Sequence, residues 1–340
     1  MTTSHSDFRL NRPGALIAAL PAVLGFVPEK SLVLVTIDRG ELGCVMRVDL
    51  APELTETIGH LADVAAAARP DAAVAVVVDE AGAGCRLCND EYLALSDALS
   101  EGLARHGIEL TDFHVVDTVG PDGRWHSRDG GWGTVDDPAA SPLAMAAVLD
   151  GRRLYARRED LQNVIEVGDA AAVEALAGFI GDHDGDTDAR RDVADAMLAG
   201  ERAAAGERLS REETVRLAHA LTDPQVRDVF YALAVGDGAA QAEALWAALA
   251  RTLPEPWRVE ALVLLAFSAY ARGDGPLAGV SLEAALRGDP THRMAGMLDT
   301  ALQSGMRPEQ IRDLAATGYR LAKRLGITLP EPRDFGRRAV

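Results

Sequence analysis

The stretch that most constrains the fold is Ala72 to Val78, Ala-Ala-Val-Ala-Val-Val-Val, a continuous apolar run with no polar residue in it. Alternation would signal a strand with one wet face; a continuous Val/Ala run signals a strand buried on both faces. Such a strand needs a layer above and a layer below. The flanking segments can supply both. Ser31 to Ile37 is a second apolar, β-branched run, Asp38-Arg-Gly40 is turn chemistry, and Leu42 to Leu50 returns as a strand, so the three form a hairpin. Leu16 to Leu24 reads as a short helix, interrupted by Pro21 and stopped by Gly25. Pro52 sits in the first turn of a helix to about Arg69. Asp79 to Cys88 reads as a Gly-rich loop, followed by a helix to about His106 that Asn89 or Asp90 caps. Phe113 to Val119 is a strand, Pro121-Asp-Gly123 a turn, Arg124 to Ser127 a short strand, and Gly130 to Ser141 a long loop. Strands alternating with helices predict a layered α/β domain, and the hairpin makes its sheet mixed.

After Pro142 the strand signal vanishes, and from about Leu161 onward every periodic segment is helical. Ser210-x-x-Glu213 is a capping box, and Asp223-Pro224 opens a further helix. Gly236-Asp-Gly238 precedes Ala242, Trp246 and Leu249, and Gly273-Asp-Gly275 precedes Ala278, Leu282 and Ala285. That spacing is near the 34-residue period of tetratricopeptide repeats. Ala266, Ala278, Ala285 and Pro290 match that consensus and the aromatic positions match poorly. The expected architecture is therefore an α/β domain over 1–165, an all-α, repeat-like domain of helical hairpins over 166–330, and a tail over 331–340.

Charge and cysteine content narrow the function classes. The net charge is −18. A chain that acidic repels nucleic acid and anionic membranes, and its basic runs, Arg152 to Arg158 and Arg333 to Arg338, are short. No apolar run approaches the roughly 20 residues of a membrane span, and Met1 to Arg12 lacks a signal-peptide core. Three cysteines make no disulfide framework. The expectation is a cytoplasmic protein that binds neither nucleic acid nor membrane.

One segment carries a family resemblance. Pro21-Ala-Val-Leu-Gly25-Phe-Val-Pro28-Glu-Lys-Ser31-Leu-Val, followed one strand later by Arg47-Val-Asp49-Leu50, resembles the P-x-x-L-G-F-x-P-x-x-S-L-V and R-x-D-L pattern of an actinobacterial family known as a domain of unknown function. The resemblance implies a fold and a lineage and no established activity. Family members carry cysteines after a Trp-Ser strand. Here Trp125-His-Ser127-Arg-Asp-Gly-Gly-Trp132 has none.

The chemistry-bearing candidates are few. Cys85-Arg-Leu-Cys88 follows a strand and precedes a helix, where the helix dipole lowers a thiol pKa as redox sites require. A single C-x-x-C is half of a zinc site, which His114 or Asp90 could complete only by folding, so no metal is expected. The plainer reading is a pair of loop thiols. Arg47 and Asp49 share one side of their strand, as a structural ion pair or as an anion site. Ser31 lacks a local base, and no G-x-S-x-G occurs. Asp182 to Asp188 imitates a calcium loop, but its sixth and twelfth places hold Thr187 and Val193, so it reads as a solvated acidic loop. No phosphate-binding glycine motif is present. No cofactor is expected.

Two functions stay open. One is a non-catalytic binding or scaffolding protein, its helical half meeting a protein partner or a second copy through Met294, Met297 and Met306. The other is a ligand-binding or enzymatic α/β domain with a site at the strand ends, drawn from Arg47, Asp79, Cys85, Cys88 and Trp125.

Overall fold

The structure is a computed structural model that describes residues 12–51, 54–67, 69–149, 152–181 and 188–333. The chain divides after Arg158 into two compact units.

The first unit is built on one six-stranded sheet. Its strands are β1 (Ser31–Asp38), β2 (Glu41–Asp49), β3 (Ala72–Val78), β4 (Glu109–Val116), β5 (Arg124–Ser127) and β6 (Trp132–Thr134), in the order β2-β1-β3-β4-β5-β6. Only β3 and β4 run parallel; every other neighbouring pair is antiparallel. The expected mixed sheet is therefore present, and β3 begins and ends at the residues its composition indicated.

The helices of this unit are α1 (Pro13–Leu24), α2 (Leu54–Ala66), α3 (Arg86–Ala104) and α4 (Pro142–Leu149). A parallel pair needs a crossover, and α3 supplies it between β3 and β4. Helices α2 and α3 pack together over one face of the sheet, on Leu32, Leu34, Ala73, Ala75, Val77, Phe113 and Val115. Period-two alternation sends Val33, Val76 and Val116 to the other face, where they are fully buried. Helix α1 is buried at ten of its twelve positions and packs on α4. Pro21 lies inside α1 rather than breaking it. Gly25 ends it as expected, with φ of 76° and its N–H donating to the Pro21 carbonyl at 2.8 Å.

Two expectations need correction. Helix α3 starts at Arg86, capped by Cys85 and not by Asn89 or Asp90, which lie within its first turns. The expected long loop after Gly130 contains β6. Its three residues are too few to show a period, and Gly133 is there because a side chain would strike the Trp125 ring.

The second unit contains α5 (Arg158–Gln162), α6 (Ala170–Gly181), α7 (Ala189–Ala204), α8 (Arg211–Thr222), α9 (Pro224–Leu233), α10 (Ala239–Thr252), α11 (Trp257–Arg272), α12 (Gly275–Gly288), α13 (Arg293–Gln303) and α14 (Pro308–Leu325). All named strands lie before residue 135, so among the described residues this unit is built from helices. Helices α10 to α13 pack in sequence order, as hairpins do, but α7 also packs on α10, α8 on α11 and α14 on α9. In a repeat array each unit touches only its neighbours; here the contacts close the helices around one core. Trp246, Phe230 and Phe267 are fully buried in it, with Phe230 5.1 Å from Trp246 and Tyr231 4.8 Å from Phe267 between ring centroids. No helix is long and apolar enough to cross a membrane among the described residues. The calcium-like acidic loop lies outside the described residues, save Asp188, whose carboxylate accepts from the Arg190 N–H and caps α7.

Candidate functional site

The β3–α3 turn gathers three of the expected site residues at the carboxyl end of β3. Asp79 leaves the strand with its N–H still donating to the Val116 carbonyl at 3.0 Å. Its side chain then organises the turn. Oδ1 accepts from the Ala81 N–H at 3.2 Å and Oδ2 accepts from the Tyr92 hydroxyl of α3 at 2.6 Å. Gly82 lies so close to this pair that a Cβ there would overlap both the Tyr92 hydroxyl and the Asp79 carboxylate. Burial, and next the Asp79 carboxylate, push the Tyr92 hydroxyl well above the usual tyrosine range.

The chain then turns into α3 through Cys85. Its backbone is extended at φ −92° and ψ 121°, and its Sγ accepts from the Cys88 N–H at 3.4 Å. A thiol thus occupies the place that Ser, Thr, Asp or Asn ordinarily fills. Both residues are partly buried and neither is in a disulfide. Their environments differ. Hydrogen bonding from Cys88 at the helix start holds the Cys85 thiol below its ordinary value. Cys88 packs against the α2/α3 core, and the hydrogen bond to Cys85, followed by burial, pushes its thiol up to about 11. One turn along, the Asn89 amide donates to the Ala83 carbonyl at 3.4 Å, and its oxygen lies 3.1 Å from His126 Nε2 of β5. An amide oxygen only accepts, so His126 carries its proton on Nε2. Burial lowers the His126 pKa.

Arg47 and Trp125 are at the same end of the sheet on its opposite face. Arg47 pairs with Val33 and Trp125 with Val116, and both partners point away from α2 and α3. The expected group of Arg47, Asp79, Cys85, Cys88 and Trp125 is therefore split by the sheet into two. Arg47 donates from Nε to the Ser31 hydroxyl at 2.7 Å and pairs with Asp49 at 2.6 Å, and its guanidinium lies 5.9 Å from the centre of the Phe26 ring. Ser31 in turn donates to the Glu29 carbonyl. Those contacts consume the hydroxyl, so Ser31 has no nucleophilic geometry. Trp125 packs edge-on against His114 at 5.4 Å and donates from Nε1 to the Thr134 carbonyl at 3.1 Å. His114 is buried on that far face, and burial lowers its pKa. It cannot reach the cysteines, and no cluster able to hold a metal ion occurs among the described residues. Cys44, on β2, is tied through its backbone to Thr36, and burial raises its thiol pKa.

The methionines are in the second unit. Met294 is half-buried, while Met297 and Met306 are exposed. Helix α13 buries Ala295, Leu298 and Ala301, and Tyr270 donates to the Met306 carbonyl at 2.8 Å.

Sequence reasoning missed Tyr92, Gly82, Asn89 and His126. No motif spacing joins them; the 13 residues from Asp79 to Tyr92 and the 37 from Asn89 to His126 become contacts only when α3 crosses the sheet. It also missed Trp132, 83 % exposed on the edge strand. A polar cleft of about 310 Å³ lined by Ser96, Thr111, Ser127 and Arg128 opens between α3 and the β4–β5 pair, away from the Asp79 turn.

Comparison with known proteins gives one match. The family model described as "Domain of unknown function (DUF4192)" covers residues 13–309. No curated protein and no solved structure matches the chain.

Proposed function

The chain belongs to the DUF4192 family, and within it we propose a two-domain binding protein whose helical domain associates with a protein, through the outer side of α13 and the turn into α14. The observation that carries this reading is the seat of α14. It packs on α9 and α11 instead of folding back over α13. Met306 is left exposed in that turn, and Met297 is exposed on α13. Methionine is adaptable apolar surface, suited to contacts with a partner.

A second copy of the chain is the occupant that purified protein can test. At a net charge of −18 two copies repel. Salt screens that repulsion and leaves apolar contact intact. Light scattering over a concentration series should therefore show a dimer that strengthens with salt. The double variant Met297→Glu, Met306→Glu should return it to monomer with unchanged circular dichroism. A protein that stays monomeric at every salt and concentration removes this reading.

A further inference from the structure

The geometry points to Cys85 and Cys88 as a working dithiol that reduces a disulfide by thiol exchange, independently of any use of the helical unit. Four features support it together. The pair opens the crossover helix of a parallel β3–α3–β4 unit, a setting in which C-x-x-C reads as redox chemistry. The two thiols are inequivalent: Cys85 is the N-cap at the outer end of α3, while Cys88 packs against the core. They share one turn, with Cys85 Sγ 3.4 Å from the Cys88 nitrogen. The turn that presents them is held from behind by Asp79, Tyr92 and Asn89, so Cys85 is positioned by more than its own helix. The depressed Cys85 and elevated Cys88 pKa values fit an attacking and a resolving thiol in that order.

The step balances. Cys85 as thiolate attacks one sulfur of a disulfide R–S–S–R′. An S–S bond forms between Cys85 and RS, and R′S⁻ leaves and takes up a proton from solvent. The Cys88 thiol then gives its proton to solvent and attacks Cys85 Sγ. The Cys85–Cys88 disulfide forms, and RS⁻ leaves to be protonated. The dithiol has lost two electrons and the substrate disulfide has gained them. Leu87, between the cysteines, is 76 % exposed, and Trp132 pairs with His126 on the α3 side of the sheet and is 83 % exposed. Both offer apolar purchase for chain flanking a disulfide, so the substrate disulfide is inferred to be that of a polypeptide.

The test uses the full-length reduced protein and bis(2-hydroxyethyl) disulfide near neutral pH, with acid quenching and mass spectrometry of the peptides. The wild type should close to an internal Cys85–Cys88 disulfide, about 2 Da lighter than the dithiol. Cys88→Ser should instead accumulate the hydroxyethyl mixed disulfide on Cys85, at least about tenfold faster than Cys85→Ser accumulates it on Cys88. Serine is itself a preferred N-cap, so Cys85→Ser retains the helix start, which circular dichroism checks. Equal reactivity of the two single-cysteine variants, or a wild type that gathers mixed disulfides without closing, overturns the proposal. A cystine-bridged peptide as second substrate fixes the source. Trp132→Ala should slow exchange with the peptide by about threefold or more and leave the small disulfide unaffected; equal rates with both would assign a low-molecular-weight disulfide instead.

Discussion

The Arg47 guanidinium donates to the Ser31 hydroxyl at 2.7 Å across the β1–β2 hairpin, while Ser31 donates onward to the Glu29 carbonyl. The side chain of Arg47 is 13 % exposed and Ser31 is fully buried. This contact joins the two halves of the Pro21-to-Val33 and Arg47-to-Leu50 pattern, with Phe26 beneath the guanidinium. The pattern thus reads as a brace that holds the exit of α1 to the edge of the sheet. Ser31→Ala removes the acceptor and leaves a largely buried cation short of a partner. The expected loss is about 1–3 kcal/mol in urea denaturation, with an unchanged m-value.

Gly82, Tyr92 and Asp79 form a second tight unit, and its members should couple. Tyr92→Phe removes the 2.6 Å hydrogen bond to Asp79 and should cost about 1 kcal/mol. Gly82→Ala drives a Cβ into the same hydroxyl and carboxylate, and should cost more. With the hydroxyl gone, half of the obstruction is gone too. The double variant should therefore be less destabilised than the sum, by at least about 0.5 kcal/mol in a double-mutant cycle. Additive losses would mean that the turn relaxes without the Asp79–Tyr92 contact.

Local composition accounts for what was legible in the sequence. β3 and β5 are legible to the residue, because a continuous Val/Ala run and a turn at Pro121-Asp-Gly123 are both local signals. The start of α3 is not legible because its cap is a cysteine, and cysteine is not among the residues that mark a helix start. The candidate site was half legible. Asp79, Cys85 and Cys88 are neighbours in sequence and remain so in space. Arg47 and Trp125 reach the same end of the sheet, which is as far as their strands' order carries them. Which face each takes is fixed by pairing Val33 with Arg47 and Val116 with Trp125, a register that one strand alone does not carry.

The capping box at α8 gives a pH-dependent stability with a definite sign. Glu213 accepts from both Arg202 terminal nitrogens at 2.9 Å and from the Ser210 N–H at 2.9 Å. Arg202 first, and Ser210 next, hold its carboxyl down to about 2 from 4.5. A depressed folded-state pKa contributes stability that is complete above the unfolded value and is lost as pH falls through the folded one. The window is therefore between about pH 4.5 and pH 2. The Glu213 side chain is 25 % exposed, so solvent discounts the effect to about 1–2 kcal/mol. Glu213→Gln should be less stable than wild type by that amount near pH 6, and the difference should shrink steadily below pH 4.5. A constant gap across that range would assign the contribution to hydrogen bonding alone.

Two glycines in the last helices test how α14 is seated. Gly318 faces α9 so closely that a Cβ would come within 2.7 Å of the Asp228 carbonyl oxygen and 2.9 Å of Ala232 Cβ. The first obstacle is backbone inside a helix and cannot rotate away. Gly296, in α13, has nothing within 4 Å of the same position. Neither has a positive φ, so alanine is allowed by the backbone at both. Helix propensity alone favours alanine over glycine by about 1 kcal/mol in each case. Packing then decides the sign. Gly296→Ala should raise stability by about 0.5–1 kcal/mol, read as a higher urea midpoint. Gly318→Ala should lower stability by about 1–3 kcal/mol, because α14 must shift off α9 to admit the methyl group. The pair also bears on the open side of α13. If α14 is displaced by Gly318→Ala and swings over α13, Met297 should become protected from oxidation by dilute peroxide, read as methionine sulfoxide by peptide mass spectrometry. With α14 on its seat, Met297, 56 % exposed, should oxidise ahead of half-buried Met294 in wild type and in Gly296→Ala alike.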